Sequence, residues 1–290
     1  MSRPFRTPCL PAGDGGAGQI GRAAVRALHA ELVLAPKPGL VSPLDNGSHA
    51  DMDMATFLRS LSALRPYFRA IAAAGGDDAP FGDLAALGRD AERDMLAATG
   101  GVNTHRGAIF CIGLLAAASG LRRARGLRRS LGDIVRERWG RAILAAGEGA
   151  PPSHGSRVAA RHGARGARGQ AAAGFPILYR QVLPALTDGL AATGSADAAG
   201  VQALFTAMTY LEDTNLLHRG GPAGLSFVQG EAGRFLDRGG VLREDWRDQA
   251  LALHRRCVAR WLSPGGSADM LAAVWFLWSQ GDRPDGIMAR

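Results

Sequence analysis

Thr99-Gly100-Gly101-Val102-Asn103-Thr104-His105-Arg106-Gly107 runs straight into Ala108-Ile109-Phe110-Cys111-Ile112-Gly113-Leu114-Leu115-Ala116-Ala117-Ala118-Ser119. The second half is an apolar run of helical length, the mark of a buried helix. The first half is polar and carries a glycine pair, as the end of a preceding helix should. A polar loop feeding a buried helix aims backbone N–H groups and a positive dipole end at one spot. Such a spot suits an anion, phosphate above all.

Outward from this stretch the pattern stays helical. Apolar residues recur at helical spacing over 19–34, 54–74, 81–98, 130–146, 170–192, 198–217, 225–236, 243–262 and 267–278. No convincing period-2 alternation appears, and Val, Ile and Thr are sparse. The reading is all-α: one domain, a bundle of about ten helices, its site built from helix termini and loops. Residues 1–19 read as a Pro/Gly-rich flexible tail, 20–282 as the catalytic domain and 283–290 as a short C-terminal tail. The segment 147–169 is the least regular. It reads either as a flexible linker or as a mobile loop, rich in Arg165 and Arg168, that closes on a polyanion.

The chain has 290 residues, 47% hydrophobic and 21% charged, ample for a core. Its longest apolar runs fall short of the ~18 residues that span a bilayer. No membrane segment is expected. Cys9, Cys111 and Cys257 stand far apart without a metal spacing, and no secretory signal is evident. Reduced thiols and a cytoplasmic location are the expectation. The net charge of +8 calls for an anionic partner. The densest basic cluster, 122–129, lacks aromatic interleaving or a nucleic-acid motif and reads as a solvated connection. A small polyanion such as a nucleotide fits the same sign of charge.

Basic positions are almost uniformly Arg; Lys37 is the only lysine, and Asn46, Asn103 and Asn215 are the only asparagines. A lysine kept in so Arg-rich a chain points to work that Arg cannot do, as a compact point charge. All four lie in short polar stretches. Pro36 and Pro38 hold Lys37 extended. Asp45-Asn46-Gly47 is a turn signal, followed by His49, Asp51 and Asp53. Either Asp can cap the next helix, yet with His49 they also supply ligands for a hard divalent cation or an acid/base pair. Asp213-Thr214-Asn215-Leu216-Leu217-His218-Arg219-Gly220 echoes Asn103-Thr104-His105-Arg106-Gly107 and suggests two similar walls of one site. No P-loop or Rossmann fingerprint is present, so a nucleotide would be held by helix ends and loops.

Several stretches, in order, resemble the signatures of triphosphoribosyl-dephospho-CoA synthases: Pro36-Lys37-Pro38-Gly39-Leu40-Val41, Asn46 to Asp53, Thr99 to Phe110, Gly174-Phe175-Pro176, Asp213 to Gly221 and Gly265-Gly266-Ser267-Ala268-Asp269. The resemblance implies an enzyme that takes ATP and 3′-dephospho-CoA, releases adenine, and joins the ribosyl triphosphate to the 2′-hydroxyl of dephospho-CoA. The product is the prosthetic-group precursor for the acyl carrier protein of malonate decarboxylase or of citrate lyase, passed on by a prosthetic-group transferase. The Arg-rich composition of a GC-rich gene favours malonate decarboxylase. The chain departs from the pattern at Ala35, where the family usually has Thr, and at Gln170, where it usually has Glu.

That chemistry assigns roles. Cleaving an N-glycosidic bond builds an oxocarbenium-like charge that a carboxylate stabilises. Asp51 and Asp53 are expected to hold Mg²⁺ or face that charge. His105 and Asp213 are the acid/base candidates. Lys37, Arg106 and Arg219 are expected on the triphosphate. Asn46, His49, Gly100, Gly101, Asn103, Thr104, Asn215 and His218 complete the substrate wall. Two rivals stay open: an adenine-releasing nucleosidase, and a non-catalytic nucleotide- or CoA-binding module.

Overall fold

Two helices with almost no polar face sit at the middle of the molecule. The computed structural model describes residues 16–148 and 154–282. In chain order its helices are α1 (Gly16–Val33), α2 (Met54–Gly76), α3 (Phe81–Thr99), α4 (Arg106–Arg125), α5 (Leu131–Glu148), α6 (His154–His162), α7 (Gly166–Ala172), α8 (Leu183–Thr193), α9 (Ala196–Tyr210), α10 (Thr214–Asp237), α11 (Trp246–Val258) and α12 (Gly265–Ser279). A π-helical turn, Leu178–Val182, and a 3-10 turn, Gly240–Leu242, complete the set. Among the described residues there is no strand, so the chain is all-α with twelve α-helices where about ten were expected.

α4 is buried along nearly its whole length, from Ala108 to Leu121. By length and composition it could cross a membrane, but it lies under α1, α2, α3, α5 and α12. The contact with α2 is backbone to backbone: a Cβ on Gly120 would stand 2.0 Å from the Ala72 carbonyl oxygen, and one on Gly75 2.1 Å from that of Ala117. Side chains at either position would force the two helices apart, at a typical cost of about 1–3 kcal/mol for overpacking. α9 is the second axis, buried from Ala198 to Met208 against α8, α10 and α12. α12 touches both axes, and its N-terminus lies beside Asp213, just past the C-terminal end of α9.

The chain breaks where the periodicity read through. The helix expected over 198–217 ends at Tyr210, because the Asp213 carboxylate caps a new helix by accepting from Asn215 N–H. Within α10, Gly221 (φ 59°, ψ −164°) ahead of Pro222 makes the kink between the two helices read there. The helix expected over 170–192 is interrupted at Gly174 (φ 80°) and Phe175 (φ 57°). The described part of 147–169 is mostly helical, as the end of α5, α6 and the start of α7, with a break at 163–165. Residues 149–153, with Pro151 to Ser153, lie outside the described residues, as do residues 1–15 with Cys9 and residues 283–290. α1 already begins at Gly16, within the expected tail. Cys111 and Cys257 are free and buried.

Candidate active site

The N-terminal ends of α4, α10 and α12 meet around one cavity of about 530 Å³. At α4, Asn103 Oδ1 accepts from Arg106 N–H at 3.2 Å and so satisfies one of the helix's open donors. At α10 the cap is Asp213, whose Oδ1 accepts from Asn215 N–H at 2.9 Å. Its other oxygen accepts from the N–H and the hydroxyl of Ser267 in α12, at 2.8 and 3.0 Å. Ser267 sits inside the first turn of α12 and donates to that oxygen from both its N–H and its hydroxyl. One carboxylate thus ties two helix starts together, 1% exposed.

The opposite wall comes from the segment 160–170, with Arg165, Arg168 and Gln170 facing the cavity. Arg106 also lines it and is paired with Glu92 at 3.0 Å. Arg165 N–H donates to Glu212 Oε2 at 3.2 Å. Gln170 Oε1 is buried and accepts no hydrogen bond among the described residues. Asp269, one residue beyond the first turn of α12, faces the same cavity. Gly107 is what lets it in: a Cβ there would stand 1.9 Å from Asp269 Oδ2.

The electrostatics are uneven. Burial raises the Asp213 carboxyl, against the pull of its donors from Ser267, Asn215 and Gly266. Burial raises Asp269 further, reinforced by the neighbouring Asp213 and Glu31 carboxylates. Cys111 lines the cavity as a protonated thiol, its pKa pushed far up by burial and then by Asp269, so it is no nucleophile.

Two expected contacts lie behind this wall. Lys37 does not reach the cavity. It is 1% exposed, its ammonium held by Glu31 through the side chain at 2.5 Å and the carbonyl at 2.7 Å. Burial lowers its pKa although Glu31 opposes the shift. His105 is buried as well, with Nδ1 2.6 Å from Ser60 Oγ and Phe57 edge-on at 5.0 Å. Burial, then the Lys37 charge, pulls its pKa down to about 3. A neutral imidazole away from the cavity is not placed as an acid. His105 Nε2 and Thr104 Oγ1 are buried without partners among the described residues.

A second polar cluster lies one turn along α10 from Asn215. Arg219 donates to the Ser48 carbonyl at 2.7 Å, the Trp261 carbonyl at 3.1 Å and His49 Nδ1 at 3.1 Å. His49 Nε2 lies 2.8 Å from Ser263 Oγ, and Asp51 Oδ1 3.6 Å from its Nδ1. Burial and the Arg219 charge lower the His49 pKa, Asp51 opposing. Arg219 is therefore spent on two loops, not on the cavity. Asp53 turns away to cap α2, accepting from the N–H and hydroxyl of Thr56 at 2.8 and 2.7 Å, which holds its carboxyl low. Among the described residues no three His, Cys, Asp or Glu side chains converge as a metal site, and Asp51 and Asp53 do not act as a pair.

Asn46 is exposed in its turn, and His218 is exposed on α10. Gly100 (φ 68°) and Gly101 (φ 90°) close α3, both N–H groups donating to the Leu96 carbonyl, and neither lines the cavity. Of the expected site residues, the cavity gathers Asn103, Arg106, Asp213 and Asn215. Asp269, Glu92 and Glu31 were not expected. Asp269 stands inside one of the quoted stretches, but an acid near a helix start reads simply as a dipole partner.

Comparison with known proteins bears on a cavity of this kind. The sequence profile of the ATP:dephospho-CoA triphosphoribosyl transferase family matches residues 17–285. The 2-(5''-triphosphoribosyl)-3'-dephosphocoenzyme-A synthase of Klebsiella pneumoniae is 41% identical, over 90% of this chain and 90% of its own. That of Pectobacterium atrosepticum is 42% identical over 89% and 88%. A protein named as a probable synthase of the same kind, from Acinetobacter calcoaceticus, is 40% identical over 87% of each chain. No solved structure matches the chain. A match that covers nearly every helix, including all three that open on the cavity, leaves one assignment: the chain belongs to the ATP:dephospho-CoA triphosphoribosyl transferase family.

Proposed function

We propose that the cavity between α4, α10 and α12 is where ATP binds and loses its adenine. One observation carries this: three helix N-termini turn their positive dipole ends to one space, flanked by Arg106, Arg165 and Arg168. A triphosphate is the polyanion such a space suits, and the guanidinium fork is the cation that suits it. Asp213 contributes a fixed negative charge beside the ribose, where the oxocarbenium-like charge grows. Both its oxygens already accept from Asn215 and Ser267 donors, so charge rather than proton transfer is its part in this reading.

Mg²⁺ enters this reading with the triphosphate, since that cation is usually held by one or two carboxylates plus substrate phosphates. The residues present do not form a site of their own for it, so no step is derived through it. Asp51, exposed beside His49, is the member of the expected pair with its carboxylate still open to a ligand.

The product would serve the acyl carrier protein of malonate decarboxylase through a prosthetic-group transferase, in the cytoplasm. The support is the Arg-rich composition for the first and two unpaired buried cysteines for the second. Citrate lyase is the alternative client. Incubation with ATP and Mg²⁺, with and without dephospho-CoA, tests the reading. Free adenine should appear only with dephospho-CoA present. Release without it would indicate a nucleosidase; binding without release, a carrier module. Supplying the product and the transferase to each apo carrier protein would show which one is served.

A further inference from the structure

We infer that Asp269 is the general acid of the reaction, giving its proton to the departing adenine. The inference rests on the cavity being the ATP site. It comes from how charge is shared among three neighbouring carboxyls. Glu31, on α1, has the Lys37 ammonium at 2.5 Å. Asp213, capping α10, has the donors of Asn215, Gly266 and Ser267. Asp269 has one backbone donor facing it, the Ala108 N–H of α4, and no cation within ion-pair reach among the described residues. Its other neighbour on α4 is the Cys111 thiol, which is protonated. Of the three, Asp269 is the carboxyl whose charge is least compensated, and the proton held by the cluster falls to it.

Position agrees with that role. Glu31 does not reach the cavity, and Asp213 lines it with both oxygens already accepting from Asn215 and Ser267, whereas Asp269 lines it in the space left by the missing side chain of Gly107. Pairs of titratable groups driven apart by their surroundings commonly divide acid from charge-stabilising work, and here Asp269 and Asp213 would do so. The step balances. The C1′–N9 bond breaks and its electron pair stays on the purine, which takes the Asp269 proton on a ring nitrogen. The acceptor hydroxyl oxygen bonds to C1′ and its proton goes to solvent, from which Asp269 is recharged.

The test is Asp269→Asn, which keeps an acceptor for Ala108 and removes the acid. Adenine release from ATP with dephospho-CoA is followed across pH, beside direct titration of ATP binding. The wild-type rate should fall as pH rises through the Asp269 pKa. The variant should be slower by about 100-fold or more and lack that fall, with ATP affinity changed less than about threefold. Asp269→Glu, which restores an acid, should recover part of the rate. A variant rate within about threefold of wild type, an unchanged alkaline fall, or loss of ATP binding in step with activity would overturn the inference. If Asp269→Asn does not fold, Gly107→Ala replaces it, since the new Cβ displaces the carboxyl; a wild-type rate there overturns it too. Wild-type protein that releases no adenine would instead refute the proposed reaction, and ATP protecting 45–53 and 258–263 in place of 265–270 would refute the assignment of the cavity.

Discussion

Asn103–Gly107 and Asn215–Gly220 share an Asn, then His-Arg-Gly, yet the fold uses them differently. The difference is where each helix starts. α4 begins at Arg106, so Asn103 lies ahead of the helix, accepting from the Arg106 N–H, and Arg106 stands at its mouth. α10 begins at Thr214, so Asn215 is already in the first turn and Arg219 lies a full turn deeper. Both asparagines reach the cavity, but only the first arginine does. The second holds Ser48, Trp261 and His49 in place. His105 is sealed beneath α2 while His218 is exposed. Register against the helix start, more than residue type, decides whether a side chain meets a ligand or another loop.

The comparison can be broken most severely at Asp213, which sets where α10 starts. Asp213→Ala leaves the N–H groups of Asn215 and Ser267 and the Ser267 hydroxyl without their acceptor. The expected loss is about 3–5 kcal/mol of stability, from a lost cap and several buried unsatisfied donors. Denaturant unfolding measures it, and a loss under about 1 kcal/mol would contradict the clamp between α10 and α12.

Next in size are the two arginines, predicted to part. Arg106→Ala should weaken apparent ATP affinity by about 10–100-fold, as expected for a lost charged hydrogen bond, while its partly exposed pair with Glu92 leaves stability within about 1 kcal/mol. Arg219→Ala should do the reverse, removing about 1–3 kcal/mol of stability with a smaller effect on ATP. Steady-state kinetics beside unfolding curves separate the two, and equal profiles would erase the distinction.

The smaller effect concerns His105. Its folded pKa of about 3 lies below the ordinary 6.5, so the unfolded chain takes the proton first. Its contribution to stability is intact above about pH 6.5 and is lost as pH falls from there toward 3. His105→Gln should flatten the acid side of the stability–pH curve by up to about 1.4 kcal/mol per pH unit. An unchanged slope would mean that His105 is not buried neutral.

The helices were legible because α4 and α9 are apolar enough to declare themselves buried, and Gly100 and Gly221 mark real stops. The break at 211–213 was not, because Leu211, Leu216 and Leu217 keep helical spacing across it. Of the site, Asn103, Arg106, Asp213 and Asn215 could be read, since polar residues beside glycines at helix ends are visible locally. Burial is not: nothing near Lys37 in the chain says that Glu31, six residues back, will take its charge. The lone lysine points inward, its ammonium held on Glu31. Asp269 escaped for a similar reason. Its neighbours Asp213, Glu31 and Gly107 come from distant parts of the chain.

The seat of ATP decides between the two polar clusters. Hydrogen exchange followed by mass spectrometry, with and without ATP and Mg²⁺, reads that directly. Protection is predicted at the starts of α4, α10 and α12, within 103–110, 213–217 and 265–270, and in 164–170. Protection confined to 45–53 and 258–263, around His49 and Arg219, would place ATP at the other cluster and contradict the account.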